Sequence, residues 1–399
     1  MSRTVVVAGV GMVPFAKPGK SDPYTVMAST AARTALADAG IAYHDAEQVY
    51  VGYVYGDSCA GQRAMYEVGL SGAPIINVNN NCATGSTALF LARQAVASGA
   101  VECALAVGFE QMIPGPLIKL FQDRPIPTEL VAGALDRTDG IDKGAPLAPQ
   151  YFAAAGRHYI KEHGIKPSTF AKISVKARKH ASLNPFAIFR EPVTEEEVLA
   201  SPAVSDPLTR LQCCPPTCGA AAAVVCSRDF ATRHGIDARV TIAAQVMATD
   251  IPGTFDAGNM MRSVGYDMAK GAAQRAYDAA GIGPEDVDVV ELHDCFTANE
   301  LIAYEALGLT PEGTAERFIV EGDNTFGGKV VTNPSGGLLS KGHPLGATGL
   351  AQCTELTWQL RGMSGARQVE GARIAAHENG GGLLGIEEAV VAVNLLSKD

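Results

Sequence analysis

Long apolar runs without polar alternation recur along the chain, separated by stretches whose apolar residues return every three or four positions. Thr4–Val10, Gln48–Tyr55, Ile75–Val78 and Cys103–Gly108 are runs of the first kind and predict strands buried on both faces. Pro23–Ala39 and Cys82–Ser98 are of the second kind and predict helices, each closed by a glycine, Gly40 and Gly99. Strands of this type between helices point to an α/β fold with a parallel-type sheet covered on both sides. A second series follows, with strands predicted at Val240–Thr249, Val287–Leu292, Arg373–Ala376 and Ala389–Leu395 and helices at Gly265–Ala280, Asn299–Leu307 and Ala347–Gln359.

The two series look like copies. Ala35, Ala39, Gly40, Ile41, Asp45 and Val49 match Ala276, Ala280, Gly281, Ile282, Asp286 and Val290 at a constant offset of 281 − 40 = 241. Ala83-Thr84-Gly85 matches Ala347-Thr348-Gly349 at 347 − 83 = 264, the difference being loop. Order and position on equivalent helices favour an internal duplication. Halves at 1–235 and 236–399 are expected. Between them the pattern breaks at about 111–210, where Pro114, Pro116, Pro125 and Pro127 punctuate the chain and Lys119, Arg124, Arg137, Lys143, Arg157 and Lys161 gather. This predicts an insertion of loops and short helices covering a site.

Composition narrows the function. At 399 residues, 47% hydrophobic and 19% charged, the chain is ordinary globular protein and not disordered. Its 43 glycines follow no collagen period, and a net charge of −10 argues against a nucleic-acid footprint. Nine scattered cysteines suit a reducing compartment. No apolar run reaches the ~18 residues of a membrane span. The start reads as a strand and not a secretory leader, and LLSKD is no peroxisomal address, which makes cytoplasm the expected location.

Four stretches carry candidate chemistry. In Asn79-Asn80-Asn81-Cys82-Ala83-Thr84-Gly85-Ser86, Cys82 opens a helix, where unpaired N–H groups and the dipole favour thiolate and lower the pKa. It reads as a nucleophile or as a buried structural cysteine. Glu291-Leu292-His293-Asp294-Cys295-Phe296 ends a strand, where ligands of such sheets sit. Zinc there would need further ligands, and no metal is expected. His343 lies in a glycine-rich loop at the duplicate of the Cys82 position, so a pseudo-twofold would bring the two together as nucleophile and base. His377-Glu378-Asn379-Gly380-Gly381-Gly382 offers backbone amides, or is a plain turn. Gly9-Val10-Gly11 lacks the rest of a dinucleotide fingerprint, and Cys213-Cys214-Pro215-Pro216-Thr217-Cys218 reads as buried thiols at a tight turn.

Taken together, NNNCATGSTAL, LQCC, ELHDCF, NELIAYEALGL, NPSGGLLSKGHPLGATG and AQCTEL resemble the thiolases of the sterol-carrier-protein type, the X/2 class, over nearly the whole chain. That resemblance implies duplicated βαβαβαββ halves forming a five-layered αβαβα core, a loop domain inserted in the first half, and a homodimer or tetramer. It implies thiolytic cleavage of 3-oxoacyl-CoA by CoA in lipid or steroid side-chain degradation, releasing acetyl-CoA or propionyl-CoA, with coenzyme A as co-substrate and no permanently bound cofactor. Cys82 would hold the acyl group, His343 would activate it, His293 would help bind the enolate oxygen, and Cys295 would be the acid/base. The Cys82 and Gly380 amides would form a second oxyanion hole. The last segment, HENGGGLLGIEEA, departs from the family, so Glu378 competes with Cys295. An open loop would leave Glu378 an ordinary carboxylate, which favours Cys295. With the sequence ending at Asp399, the lipid-carrier domain fused in some members is expected to be absent. The rival readings are a thiolase-superfamily retro-aldol lyase working with a partner protein and a non-catalytic acyl-CoA or lipid binder. CoA is expected to bind through the cations of 111–210.

Overall fold

The computed structural model describes residues 3–115, 121, 123–125, 127–383 and 386–398, with only the backbone at 381–383 and 386–390. Pro116, Lys119 and Asp399 lie outside the described residues. The strands are β1 (Val5–Met12), β2 (Gln48–Gly52), β3 (Ile75–Val78), β4 (Cys103–Glu110), β5 (Ala203–Ser205), β6 (Leu208–Thr209), β7 (Gly219–Ser227), β8 (Val240–Ala248), β9 (Val289–Glu291), β10 (Val331–Thr332), β11 (Ile374–Leu383) and β12 (Ile386–Lys398).

All but the small β5–β6 pair join one sheet in the order β10-β9-β11-β12-β8-β1-β7-β4-β2-β3. Read from either end the order is the same once β8, β9, β10, β11 and β12 are matched to β1, β2, β3, β4 and β7, so the duplication is real. The halves meet at the β1–β8 seam through Val6 and Thr241. The sheet is not parallel throughout. β2 pairs parallel with β3 and β4, and β9 with β10 and β11, whereas β7 and β12 run antiparallel to their neighbours. Continuous apolar sequence marks burial on both faces and carries no information about strand direction.

Helices Thr84–Ser98 and Thr348–Arg361 fill the space between the halves, burying Leu89, Ala92, Val96, Leu350, Leu356 and Leu360 against both. Helix Tyr24–Ala39 covers the outer face of the first half, and Tyr266–Ala280 and Thr297–Ala306 that of the second. Five layers result. Gly9 and Gly11 have a packing role, since a Cβ on either would meet the backbone of Ala35 or Ala31 at 2.3 and 2.6 Å. The insertion is more helical than its prolines suggest, with helices Glu129–Thr138, Leu147–His163, Ser168–Ala181 and Glu195–Ala200. Among the described residues no helix is long and apolar enough to cross a membrane.

Candidate active site

The two central helices cross at their N-terminal ends. Cβ atoms built on Gly85 and Gly349, matched by the duplication, would meet the other helix or its approach: Gly346 O at 2.8 Å from the first, Ser86 Oγ at 2.0 Å from the second. Gly346 and Gly108 touch by the same close approach, at 2.1 Å to a Gly108 Cβ. Only residues without side chains allow the crossing, and it carries Cys82 and His343 to one place.

Cys82 sits in the Asn81–Ala83 turn that leads into its helix and is buried. Asn81 holds a positive φ of 47°, and its N–H donates to Asn79 Oδ1 at 3.0 Å. Asparagine tolerates that conformation better than most residues. Cys82 Sγ and one ring nitrogen of each of His293 and His343 lie within 4.8 Å of one another. The two rings meet edge to face with centroids 5.0 Å apart. Cys295 is buried but stands outside this cluster, and its carbonyl accepts from Cys214 N at 2.8 Å.

His343 is fixed at both ends. Its backbone N–H donates to Thr217 Oγ1 at 3.0 Å, and its Nδ1 lies 2.7 Å from Thr348 Oγ1. The Thr348 hydroxyl donates to Pro344 O, so Nδ1 carries the proton and donates to Thr348. Nε2 is thereby left with a lone pair, and it makes no hydrogen bond among the described residues. A buried lone pair beside a thiol is a base in waiting. Burial, then His293 and Lys341, hold this ring well below the usual histidine range.

The Cys82 thiol departs from the sequence expectation. Burial and then the charge of Glu110 push it up to about 12, and its own backbone N–H only partly offsets this. The helix N-terminus is present, but desolvation of a fully enclosed sulfur outweighs it. The resting pair is therefore thiol and neutral imidazole, not an ion pair. Since thiolate grows tenfold per pH unit below the pKa, iodoacetamide inactivation of the free protein should climb steadily from pH 7 to 9. A plateau at neutral pH would mean a preformed thiolate. Glu110 is itself buried and pushed up to about 7, accepting from Val54, Tyr55 and Gly346 N–H groups and so tying both halves to the site.

The last segment is not an open loop. His377, Glu378, Asn379 and Gly380 belong to β11, are buried, and pair with β12, while β9 pairs only as far as His377. Three consecutive glycines suggest a turn in sequence, but here they continue β11, which packs against the Asn81–Ala83 turn. Glu378 Oε2 accepts the backbone N–H of His293 at 2.8 Å, and Glu378 thus braces that strand end. The Cys213–Cys218 segment is likewise more than a tight turn. Cys213 bridges to Phe296 and Pro216 to His343, which puts it along the wall of the site. Three of the cations named in the insertion pair with acidic groups: Arg124 with Asp123, Arg137 with Asp256 and Arg157 with Asp139.

Sequence reading missed Ser86, Thr217, Thr348, Gln352 and Asn379. A helical periodicity was available: Ser86 stands four residues after Cys82, and Gln352 four after Thr348, so each shares a helix face with its partner. Three donor atoms so close are also a set a zinc ion could take, with the other ring nitrogen of each histidine on a protein partner, Thr348 for His343 and Asn379 for His293 at 3.0 Å; a closed tetrahedral site would want a fourth ligand, and the cluster among the described residues supplies three.

The thiolase N-terminal domain family matches residues 5–229, and the thiolase C-terminal domain-like family matches 256–394. Sterol carrier protein 2 of Gallus gallus is 54% identical over 394 residues, spanning 98% of this chain and 71% of that protein. The benzoylsuccinyl-CoA thiolase subunit BbsB of Thauera aromatica is 37% identical, spanning 96% of each. Among solved structures, the Ltp2-ChsH2(DUF35) aldolase superposes with a TM-score of 0.81 over 99% of this chain and 98% of that one, at 24% identity, which is a likeness of fold.

Proposed function

The chain belongs to the thiolase family, where it groups with sterol carrier protein 2, and from that premise we propose that it cleaves 3-oxoacyl-CoA with CoA through an acyl group held on Cys82. The observation that carries the reading is the buried cluster in which Cys82 Sγ faces the free Nε2 lone pair of His343, with His293 beside both. In the first step His343 Nε2 takes the Cys82 proton while the sulfur attacks the 3-oxo carbon. The amides of Cys82 and Gly380 bind the oxygen of that adduct. The C2–C3 bond then breaks, leaving the shortened acyl group on sulfur and the enolate of acetyl-CoA or propionyl-CoA. His343, now protonated at Nε2, and His293 bind the enolate oxygen, and Cys295 delivers a proton to carbon. The CoA thiol then gives its proton to the Cys295 thiolate and attacks the thioester carbon; the Cys82 sulfur leaves, takes its proton back from His343 Nε2, and the shortened acyl-CoA departs as the second product.

A donor pair preorganised for a developing enolate is the largest contribution such a site makes, each donor being worth about 10² to 10³ in rate. Glu378 is the weaker candidate for the acid/base, because its carboxylate already accepts the His293 amide. Coenzyme A serves as co-substrate in this reading. The retro-aldol alternative needs no acylated cysteine. Incubation with radiolabelled acetyl-CoA separates the two: thiolase action leaves acid-stable label on the Cys82 peptide, and a parallel incubation with a 3-oxoacyl-CoA gives CoA-dependent release of shortened acyl-CoA. No label, with aldol cleavage of a 3-hydroxyacyl-CoA instead, would assign the chain to the lyase reading.

A further inference from the structure

His293 is held from behind by a chain of buried polar side chains with no part in the reaction above. Asn394 Nδ2 lies 2.7 Å from His377 Nδ1, and His377 Nε2 lies 3.0 Å from Gln352 Oε1 and 3.2 Å from Ser86 Oγ. Ser86 Oγ is 2.6 Å from Asn379 Oδ1, and Asn379 Nδ2 is 3.0 Å from His293 Nδ1. Every member is buried, and Ser86, His377, Asn379, Gln352 and Asn394 are wholly or almost wholly enclosed.

Such a chain has two directions in principle. Both asparagine amides can be turned over, the serine rotor reversed and each imidazole proton moved to the other nitrogen, giving the same distances with every donor exchanged for an acceptor. One direction leaves His293 with N–H at Nε2, the other with a lone pair there. The chemistry of the site depends on the difference.

One contact removes the choice. Gln352 Nε2 is 3.1 Å from the backbone carbonyl of Glu378, which can only accept. The Gln352 amide is thus oriented with its NH₂ on that carbonyl and its Oε1 toward His377. His377 Nε2 must then carry the proton, shared between Gln352 Oε1 and Ser86 Oγ as a three-centre bond. Its Nδ1 accepts from Asn394. Ser86 cannot donate to a protonated nitrogen, so its hydroxyl donates to Asn379 Oδ1. The Asn379 NH₂ then donates to His293 Nδ1, and the His293 proton is on Nε2.

We propose that Gln352, on the helix after His343, sets the direction of the relay His377–Ser86–Asn379–His293 and thereby holds His293 as a hydrogen-bond donor and not a base. His343 is fixed in the opposite tautomer by Thr348. Two histidines with rings 5.0 Å apart are given different tasks by their partners alone. Gln352, Ser86 and Asn379 are positioning residues, since each acts through His293.

The kinetic consequence rests on the thiolase reading, but the tautomer does not. It is read by nitrogen NMR of ¹⁵N-histidine-labelled protein without substrate, assigned with single His→Asn variants. His293 Nδ1 should show the shift of an unprotonated ring nitrogen, and His343 Nδ1 that of a protonated one. Gln352→Leu should admit the reverse direction and give His293 Nδ1 a protonated fraction, whereas Gln352→Glu, which still accepts from His377, should keep the wild-type spectrum. If thiolysis is the reaction, Gln352→Leu should also lower kcat tenfold or more at a KM within twofold. A protonated His293 Nδ1 in the wild type overturns the relay's direction. A Gln352→Leu spectrum identical to wild type overturns the role of Gln352. Should that variant fail to fold, Ser86→Ala interrupts the same chain and must produce the same mixed signal. A tautomer as proposed in a protein without thiolase activity would leave the relay standing and remove only the proposed reaction.

Discussion

Cys82→Ala should reduce thiolysis by about four orders of magnitude or more with the fold intact, because covalent catalysis has no substitute group and knocking out one member of a catalytic unit costs nearly as much as removing all of it. The structural cost is small. The side chain loses one sulfur from a buried site, and the hydrogen bond it gives up, to Asn81 Oδ1 at 3.7 Å, is long and weak. Steady-state rates with a 3-oxoacyl-CoA, alongside circular dichroism, provide the check. Turnover within a factor of ten of wild type in a folded variant would remove Cys82 from the chemistry.

Lys341→Met should destabilise the protein by about 3–5 kcal/mol, lowering Tm by roughly 5 °C in a chain of this size. Lys341 and Glu291 are fully buried and pair at 3.2 Å, and Glu291 also accepts from Ser335 N and Oγ at 3.0 and 2.7 Å. Glu291 precedes His293 by two residues and Lys341 precedes His343 by two, so the pair straps together the segments bearing both histidines. Removing the lysine leaves a carboxylate enclosed without a counter-charge. The double variant Glu291→Gln with Lys341→Met should recover part of the loss, since it is the unpaired charge that is expensive and not the absence of the pair. Calorimetry checks both. A single variant within 1 °C of wild type would mean that the pair contributes nothing.

The repeated halves were legible in sequence because helix-closing glycines and the residues after them are dictated locally. Gly40 and Gly281 both end helices in the left-handed region, at φ 68° and 69°. The meeting of Cys82 with His343 followed from Ala83-Thr84-Gly85 and Ala347-Thr348-Gly349, given a twofold. Strand direction was not legible, since burial looks the same in both senses. The depth of Glu378 and Asn379 was also hidden. Glycines after them read as a turn, and only the pairing of β11 with β12 makes them part of the sheet. The state of the Cys82 thiol was misjudged for a related reason: a helix start is visible in sequence, whereas the packing that strips water from it is a property of the whole fold.

The crossing of the two central helices at Gly85 and Gly349 bears on how such a catalyst can arise. At the offset of 264, Cys82 is matched by Gly346 and His343 by Asn79, so the two approaches to the crossing no longer carry the same residues. Joining the copies in one chain frees each start to mutate alone. The proposed nucleophile now stands in the first half and His293, Cys295 and His343 in the second, so neither half, expressed by itself, holds both sides of the reaction.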